Sequence, residues 1–166
     1  MPLTRREVLS GLAAATVASV MPDFVFAEPA SSLLIDAARL QRSLEGLSVY
    51  GRPAGGTFAD GVSRIAYSDA DVAGREYAMD LMRSAGLEPR VDAAGNITTV
   101  RKGSEPMLKP ILFGSHIDSV PGGGNFDGDL GSMAAIEVMH TLMDHNVSTR
   151  HPLQMYIWQN EEGGLP

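Results

Sequence analysis

The chain has 166 residues, 44% of them apolar and 20% charged, an ordinary composition for one folded domain. Its net charge of −7, with two lysines and no basic run, argues against a nucleic-acid surface, because phosphate binding needs clustered Lys and Arg. With no cysteine there is no disulfide framework and no thiolate metal site, so a metal would have to sit on histidine and carboxylate ligands.

Residues 1–27 read as an export signal outside the fold. Thr4-Arg5-Arg6-Glu7-Val8-Leu9 precedes a mild, Ala-rich segment from Leu12 to Met21, and Val25-Phe26-Ala27 offers a small-residue cleavage site. The apolar run is too short to span a bilayer comfortably, so no stable membrane span is expected. The adjacent arginines look like a twin-arginine signal, with a general secretory signal carrying a chance Arg-Arg pair as the alternative, and either implies a periplasmic or secreted protein.

The mature chain, residues 28–166, opens on a predicted helix with Leu33, Ala37, Leu40, Leu44 and Leu47 on one face. Ser31 or Ser32 can cap its start, and Gly46 lies near its end. Residues 48–67 are loop-rich, and a connection this long is usually functional or mobile; Arg64 and Tyr67 are its candidate substrate-side residues, with a plain surface loop as the favoured alternative. A second helix runs from the Ser68-Asp69-Ala70-Asp71 capping box to Gly86, with Val72, Tyr77, Leu81, Met82 and Ala85 as its apolar face. Two short strands, Glu88–Val91 and Asn96–Val100, flank Asp92-Ala93-Ala94-Gly95 in hairpin fashion.

The central stretch follows. Pro110-Ile111-Leu112-Phe113 leads into Gly114-Ser115-His116-Ile117-Asp118 as a buried strand, with His116 and Asp118 on one face. A glycine-rich turn then brings Asp127 and Asp129 to the mouth of an apolar helix running from Leu130 to about His145. A last strand, Leu153–Trp158, ends in Gln159-Asn160-Glu161-Glu162-Gly163. The expected fold is α/β, a mixed and mainly parallel sheet flanked by helices, with its chemistry at the C-terminal edge of the strands.

Competing motifs fail on the residues. An EF-hand begun at Asn125 would need Gly where Leu130 stands and Glu where Ile136 stands. No Gly-Lys-Ser/Thr follows the glycines, which excludes a phosphate-cradling loop, and the spacing does not fit Gly-x-Gly-x-x-Gly. Ser115, His116 and Asp118 cannot form a hydrolase triad, since neighbours on one strand do not hydrogen-bond in series. What remains is an imidazole and several carboxylates converging at strand ends, a donor set suited to zinc-like ions.

Gly114 to Gly131 together with Trp158 to Gly163 resembles the M20-type metallohydrolases, within them the amidase/hydantoinase/carbamoylase branch. Gly61 to Asp69 and Ala85 to Asn96 look similar too, and the short separation of Asp118 from Asp127 favours that branch over the aminopeptidase-like relatives. The resemblance implies a site holding two divalent ions, by default zinc, with manganese, cobalt or nickel open. It implies that His116 binds the first metal, Asp127 bridges both and Glu162 binds the second. Glu161 would be the general base, and Asp118 would fix the orientation of His116. The implied reaction is hydrolysis of a linear amide or ureido C–N bond in a small molecule such as an N-carbamoyl amino acid, ureidopropionate or allantoate. An M20-type peptidase or aminoacylase would share every one of these residues, and a non-catalytic secreted remnant is the other alternative. Family members are much longer, form homodimers and supply a further histidine to each metal. The catalytic domain is therefore expected to be incomplete here, and the 166-residue chain to turn over little by itself.

Overall fold

Residues 33–164 are described by the structure, a computed structural model; the export signal expected over residues 1–27 and the cap expected at Ser31 or Ser32 lie outside the described residues. In chain order the elements are α1 (Ala37–Leu47), α2 (Asp69–Ser84), β1 (Arg90–Val91), β2 (Ile97–Arg101), β3 (Ile111–His116), α3 (Asp129–Asp144) and β4 (Leu153–Trp158). Helix α1 is capped by Asp36, whose carboxylate accepts from the Arg39 N–H at 2.9 Å. Leu44 and Leu47 carry its buried face. In α2 the expected cap is present, with Ser68 Oγ accepting from the Asp71 N–H, and Gly86 ends the helix at φ +71°. Its buried side is Gly74, Ala78 and Met82, whereas Val72, expected on that face, is largely exposed.

The four strands lie in the order β1-β2-β4-β3. The α/β class and the mixed sheet stand, but parallel strands do not predominate among the described residues. β1–β2 and β2–β4 are antiparallel, and only β3–β4 is parallel. The physical reason is the connections: β1 and β2 are joined by a tight Asx turn at Asp92, and only β3 and β4 are joined through a helix. β3 also lies at the sheet edge rather than inside it, so Ile111 and Leu112 are each about half exposed and the expected buried strand is corrected.

Leu153, Met155 and Ile157 of β4 and Ile97 of β2 face a core completed by Met133, Ile136 and Met139 of α3, Met82 of α2 and Leu44 and Leu47 of α1. Helix α3 is less enclosed than its apolar sequence suggests, because Leu130 and Val138 remain open on its outer side. A charged clasp holds α1 to α3. The buried Glu137 carboxylate takes the Arg39 guanidinium at 2.7 and 2.9 Å, the Asp36 N–H at 2.9 Å and the Thr141 hydroxyl at 3.1 Å.

The parallel pairing of β3 with β4 positions the site. His116 lies opposite Trp158, so the two strands end together and release their following segments at one edge. Gly131 lets α3 approach, since a Cβ there would meet the Ser115 side chain at 2.8 Å. Ser132 Oγ then donates to the His116 carbonyl at 2.8 Å and ties the end of β3 to the first turn of α3.

Candidate metal centre

Strand β3 ends at His116, so Asp118 does not share a strand face with it as expected. The relation between them differs from expectation. His116 Nδ1 lies 3.0 Å from the Asp118 backbone carbonyl, while the Asp118 carboxylate is 3.7 Å away. A carbonyl only accepts, so Nδ1 carries the proton and Nε2 presents its lone pair. The backbone of Asp118 thus sets the tautomer, and its carboxylate does something else. Asp118 Oδ1 accepts from the Glu161 N–H at 3.3 Å and Oδ2 from the Glu162 N–H at 3.1 Å. That carboxylate is buried and spans from the β3 exit to the β4 exit.

Those bonds explain how two adjacent glutamates serve one edge. In an extended strand Glu161 and Glu162 would point apart. The chain instead turns at Asn160, φ +58°, and again at Gly163, φ +66°, with the Gly163 N–H donating to the Asn160 carbonyl at 3.2 Å. The reversal therefore starts before the glutamates, not at Gly163-Gly164 as the sequence suggested. The Gln159 N–H is held by Asn96 Oδ1 at 3.0 Å, and its side chain donates to Asp71 at 2.8 Å and accepts from Arg75.

Asp127 approaches from the other side. Gly128, φ +66°, occupies the N-cap position of α3 and no side chain caps the helix, so the Asp127 carboxylate is not consumed as a cap. It stays 80% exposed, with Oδ1 3.7 Å from His116 Nε2. Gly128 also rests on the imidazole: a Cβ there would lie 2.5–2.6 Å from three ring atoms. Asp129, grouped with Asp127 in the sequence, is instead buried beneath the site and accepts both its hydrogen bonds from Arg64 at 2.6 Å. Burial pushes its carboxyl up to about 6 against the pull of the Arg64 guanidinium, so it is ionised and paired at neutral pH.

His116, Asp127 and Glu162 each offer one ligand atom, and these atoms lie within 4.8 Å of one another. Glu161 Oε2 is 3.3 Å from His116 Nε2. An imidazole lone pair facing two carboxylates is repulsive until a cation lies between them. The residues present therefore fit a divalent ion, with borderline nitrogen and hard oxygen donors.

One expectation for the preceding loop is corrected. Arg64, a candidate for substrate contact, is wholly buried and structural. Tyr67 is exposed, with a left-handed backbone (φ +66°) held by its N–H to Asp71 Oδ2 at 2.8 Å. The loop itself is scaffold. Val62 N–H bonds the Gly123 carbonyl at 2.9 Å, Gly122 N–H bonds Ser63 Oγ at 3.0 Å, and Asn125 Nδ2 bonds the Phe58 and Asp60 carbonyls at 2.7 Å each. These contacts fasten the glycine-rich turn that carries Asp127. The sequence signal for them was slight, a polar Asn125 between glycines and Phe126.

The profile of peptidase family M28 matches residues 96–166. An N-carbamoyl-L-amino acid amidohydrolase of Geobacillus stearothermophilus is 37% identical over 130 residues, 78% of this chain and 31% of that protein. A ureidoglycolate hydrolase of Arabidopsis thaliana is 38% identical over 137 residues, 80% of this chain and 27% of that protein. Among solved structures, a hydantoinase/carbamoylase family amidase from Burkholderia ambifaria superposes with a TM-score of 0.73 at 43% identity, over 79% of this chain and 31% of that one. The chain thus spans less than a third of the length of these relatives.

Proposed function

From a chain that resembles the hydantoinase/carbamoylase branch of the metallohydrolases in sequence and in fold, we propose a metal-dependent hydrolase of linear amide or ureido C–N bonds in small molecules. One observation carries the reading: His116 Nε2 turned towards Asp127 and Glu161, with Glu162 in ligand range. His116, Asp127 and Glu162 would hold the metal; two ions, zinc by default, are the complement that the resemblance implies. Divalent ions at such a site supply Lewis acidity and lower the pKa of water.

The remaining work falls to the chain's own residues. Glu161, half exposed beside the triad, is the proton acceptor and later the donor to the departing nitrogen. Asp118 holds Glu161 and Glu162 in place through their N–H groups, and its carbonyl keeps the His116 lone pair available. Carbamoyl amino acids and ureidoglycolate are what the relatives' names specify, so an N-carbamoyl amino acid or a related ureido acid is the proposed substrate class. The match to a peptidase family over residues 96–166 favours a second reading, hydrolysis of short peptides. Among the described residues no helix is long and apolar enough to cross a membrane. Export by the twin-arginine route and a homodimeric assembly belong to the proposal as well.

The gene product purified from its own host should hydrolyse N-carbamoyl amino acids, ureidopropionate or allantoate, lose that activity to a chelator and regain it with Zn²⁺, Mn²⁺ or Co²⁺, whereas the isolated 166-residue chain should turn over little. Glu161→Gln should abolish turnover while leaving metal content intact. Turnover of dipeptides alone would establish the peptidase reading instead, and activity untouched by chelation would remove both.

A further inference from the structure

Arg64 is wholly buried although it carries a permanent charge. All five of its side-chain N–H groups have partners. Nε donates to the Ile117 carbonyl at 2.5 Å, and Nη1 donates to the Leu47 and Tyr50 carbonyls at 3.1 and 2.8 Å. Nη2 donates to both carboxylate oxygens of Asp129 at 2.6 Å. Its main chain is engaged on the same segment: Arg64 N–H bonds Ser119 Oγ at 2.9 Å, and the Ser119 N–H bonds the Arg64 carbonyl at 3.0 Å. Gly74 of α2 admits the side chain, since a Cβ there would stand 2.8 Å from Arg64 Cδ.

The placement of those partners matters more than their number. Ile117 directly follows His116 and precedes Asp118, and Asp129 stands two residues beyond Asp127. One rigid fork therefore grips both arms that bring ligands to the edge. Filling the space would need only apolar side chains, which replace buried ion pairs without loss in many proteins. A planar guanidinium adds a fixed angle and distance between a carbonyl on one arm and a carboxylate on the other.

We propose that Arg64 is a positioning residue of the metal centre, setting the separation of His116 from Asp127 by gripping Ile117 and Asp129 at once. This rests on the proposed metal site, and the test separates the two. Lysine keeps the charge at position 64 but loses the fork. Arg39→Lys serves as the control, because Arg39 pairs with buried Glu137 away from the triad.

Both variants are titrated with Co²⁺, following affinity and the visible absorption bands, and are melted by circular dichroism. Arg64→Lys should bind Co²⁺ at least about tenfold more weakly, with shifted bands, while Arg39→Lys lowers the melting temperature and leaves affinity and bands unchanged. Equal affinity and identical bands in folded Arg64→Lys and Arg39→Lys would overturn the proposal. Should Arg64→Lys fail to fold, Arg64→Met with Asp129→Leu, which leaves no unpaired buried charge, is read by the same criteria. Absence of Co²⁺ uptake by the unaltered protein would sink the metal reading alone. Amide exchange at Ser119 and Asp129 then decides what is left of the proposal: faster exchange in Arg64→Lys than in Arg39→Lys upholds Arg64 as the tie that sets the separation of His116 from Asp127, and equal exchange overturns it.

Discussion

Gly128→Ala tests the centre at its tightest point. The added Cβ would lie 2.5 Å from His116 Cε1 and 2.6 Å from Nδ1 and Nε2. Non-bonded heavy atoms pack at about 3.5–4.0 Å, so the ring or the glycine turn must retreat by about 1 Å. The ring cannot retreat freely, because its Nδ1–H is held by the Asp118 carbonyl and its main chain by Ser132. A second cost is conformational: at φ +66° and ψ −49° Gly128 forms a γ-turn, closed by the Asp129 N–H on the Asp127 carbonyl, where a side chain is strained by about 1–3 kcal/mol. For a domain of this size that amounts to a fall in melting temperature of roughly 3–9 °C.

The two contributions separate experimentally. Gly122 also has φ +66°, yet a Cβ there meets nothing within 4 Å. Gly122→Ala should therefore show the stability loss without a change in metal affinity. Gly128→Ala should show that loss and a further 10–100-fold weakening of metal binding, the range expected when a ligand's support is disturbed. Isothermal titration with Zn²⁺ and thermal melts of the two variants give both numbers. Equal Zn²⁺ affinity in the two would refute the claim that Gly128 seats His116.

Other consequences follow from single contacts. Asp118→Ala removes the acceptor for both the Glu161 and Glu162 N–H groups, so metal affinity should fall, and Asp118→Asn, with one carbonyl oxygen, should restore part of it. Arg39→Met leaves the Glu137 carboxylate buried without its cation. Because Arg39 is partly exposed, the loss should sit near the low end for broken buried pairs, about 3 kcal/mol in urea denaturation. Burial alone would raise the Glu137 carboxyl, but Arg39, the Asp36 N–H and Thr141 outweigh it and hold it below the usual range. Its stabilising contribution is therefore complete above the unfolded carboxyl value and disappears as pH falls through the lowered folded one. Acid titration of stability should be shallower in Glu137→Gln than in the unaltered protein. For export, a reporter fused behind residues 1–30 should reach the periplasm, and Arg5→Lys with Arg6→Lys should retain it in the cytoplasm.

The sequence determined much of this protein because its signals are local. A capping serine at Ser68, a left-handed glycine at Gly86, the hairpin residues around Asp92 and the apolar run of Met133 to Leu142 act over a few residues and fix helices and turns where they stand. The meeting of His116 with carboxylates at one edge was legible too, since two strands joined through a helix run parallel and release their ends together, while the choice of Asp127 and Glu162 among those carboxylates came from the family resemblance. Tertiary structure alone decided what long-range hydrogen bonds and packing decide. Nothing local tells that Asp118 would hold the Glu161–Glu162 turn across 43 and 44 residues, or that its backbone rather than its carboxylate would orient the imidazole. Nor could periodicity place β3 at the sheet edge, a matter of which strands pair. Arg64 looked like a surface loop residue, because nothing in its neighbourhood reveals that Asp129, 65 residues on, would fold back to neutralise it. A buried charge is read correctly only once its partner is in view.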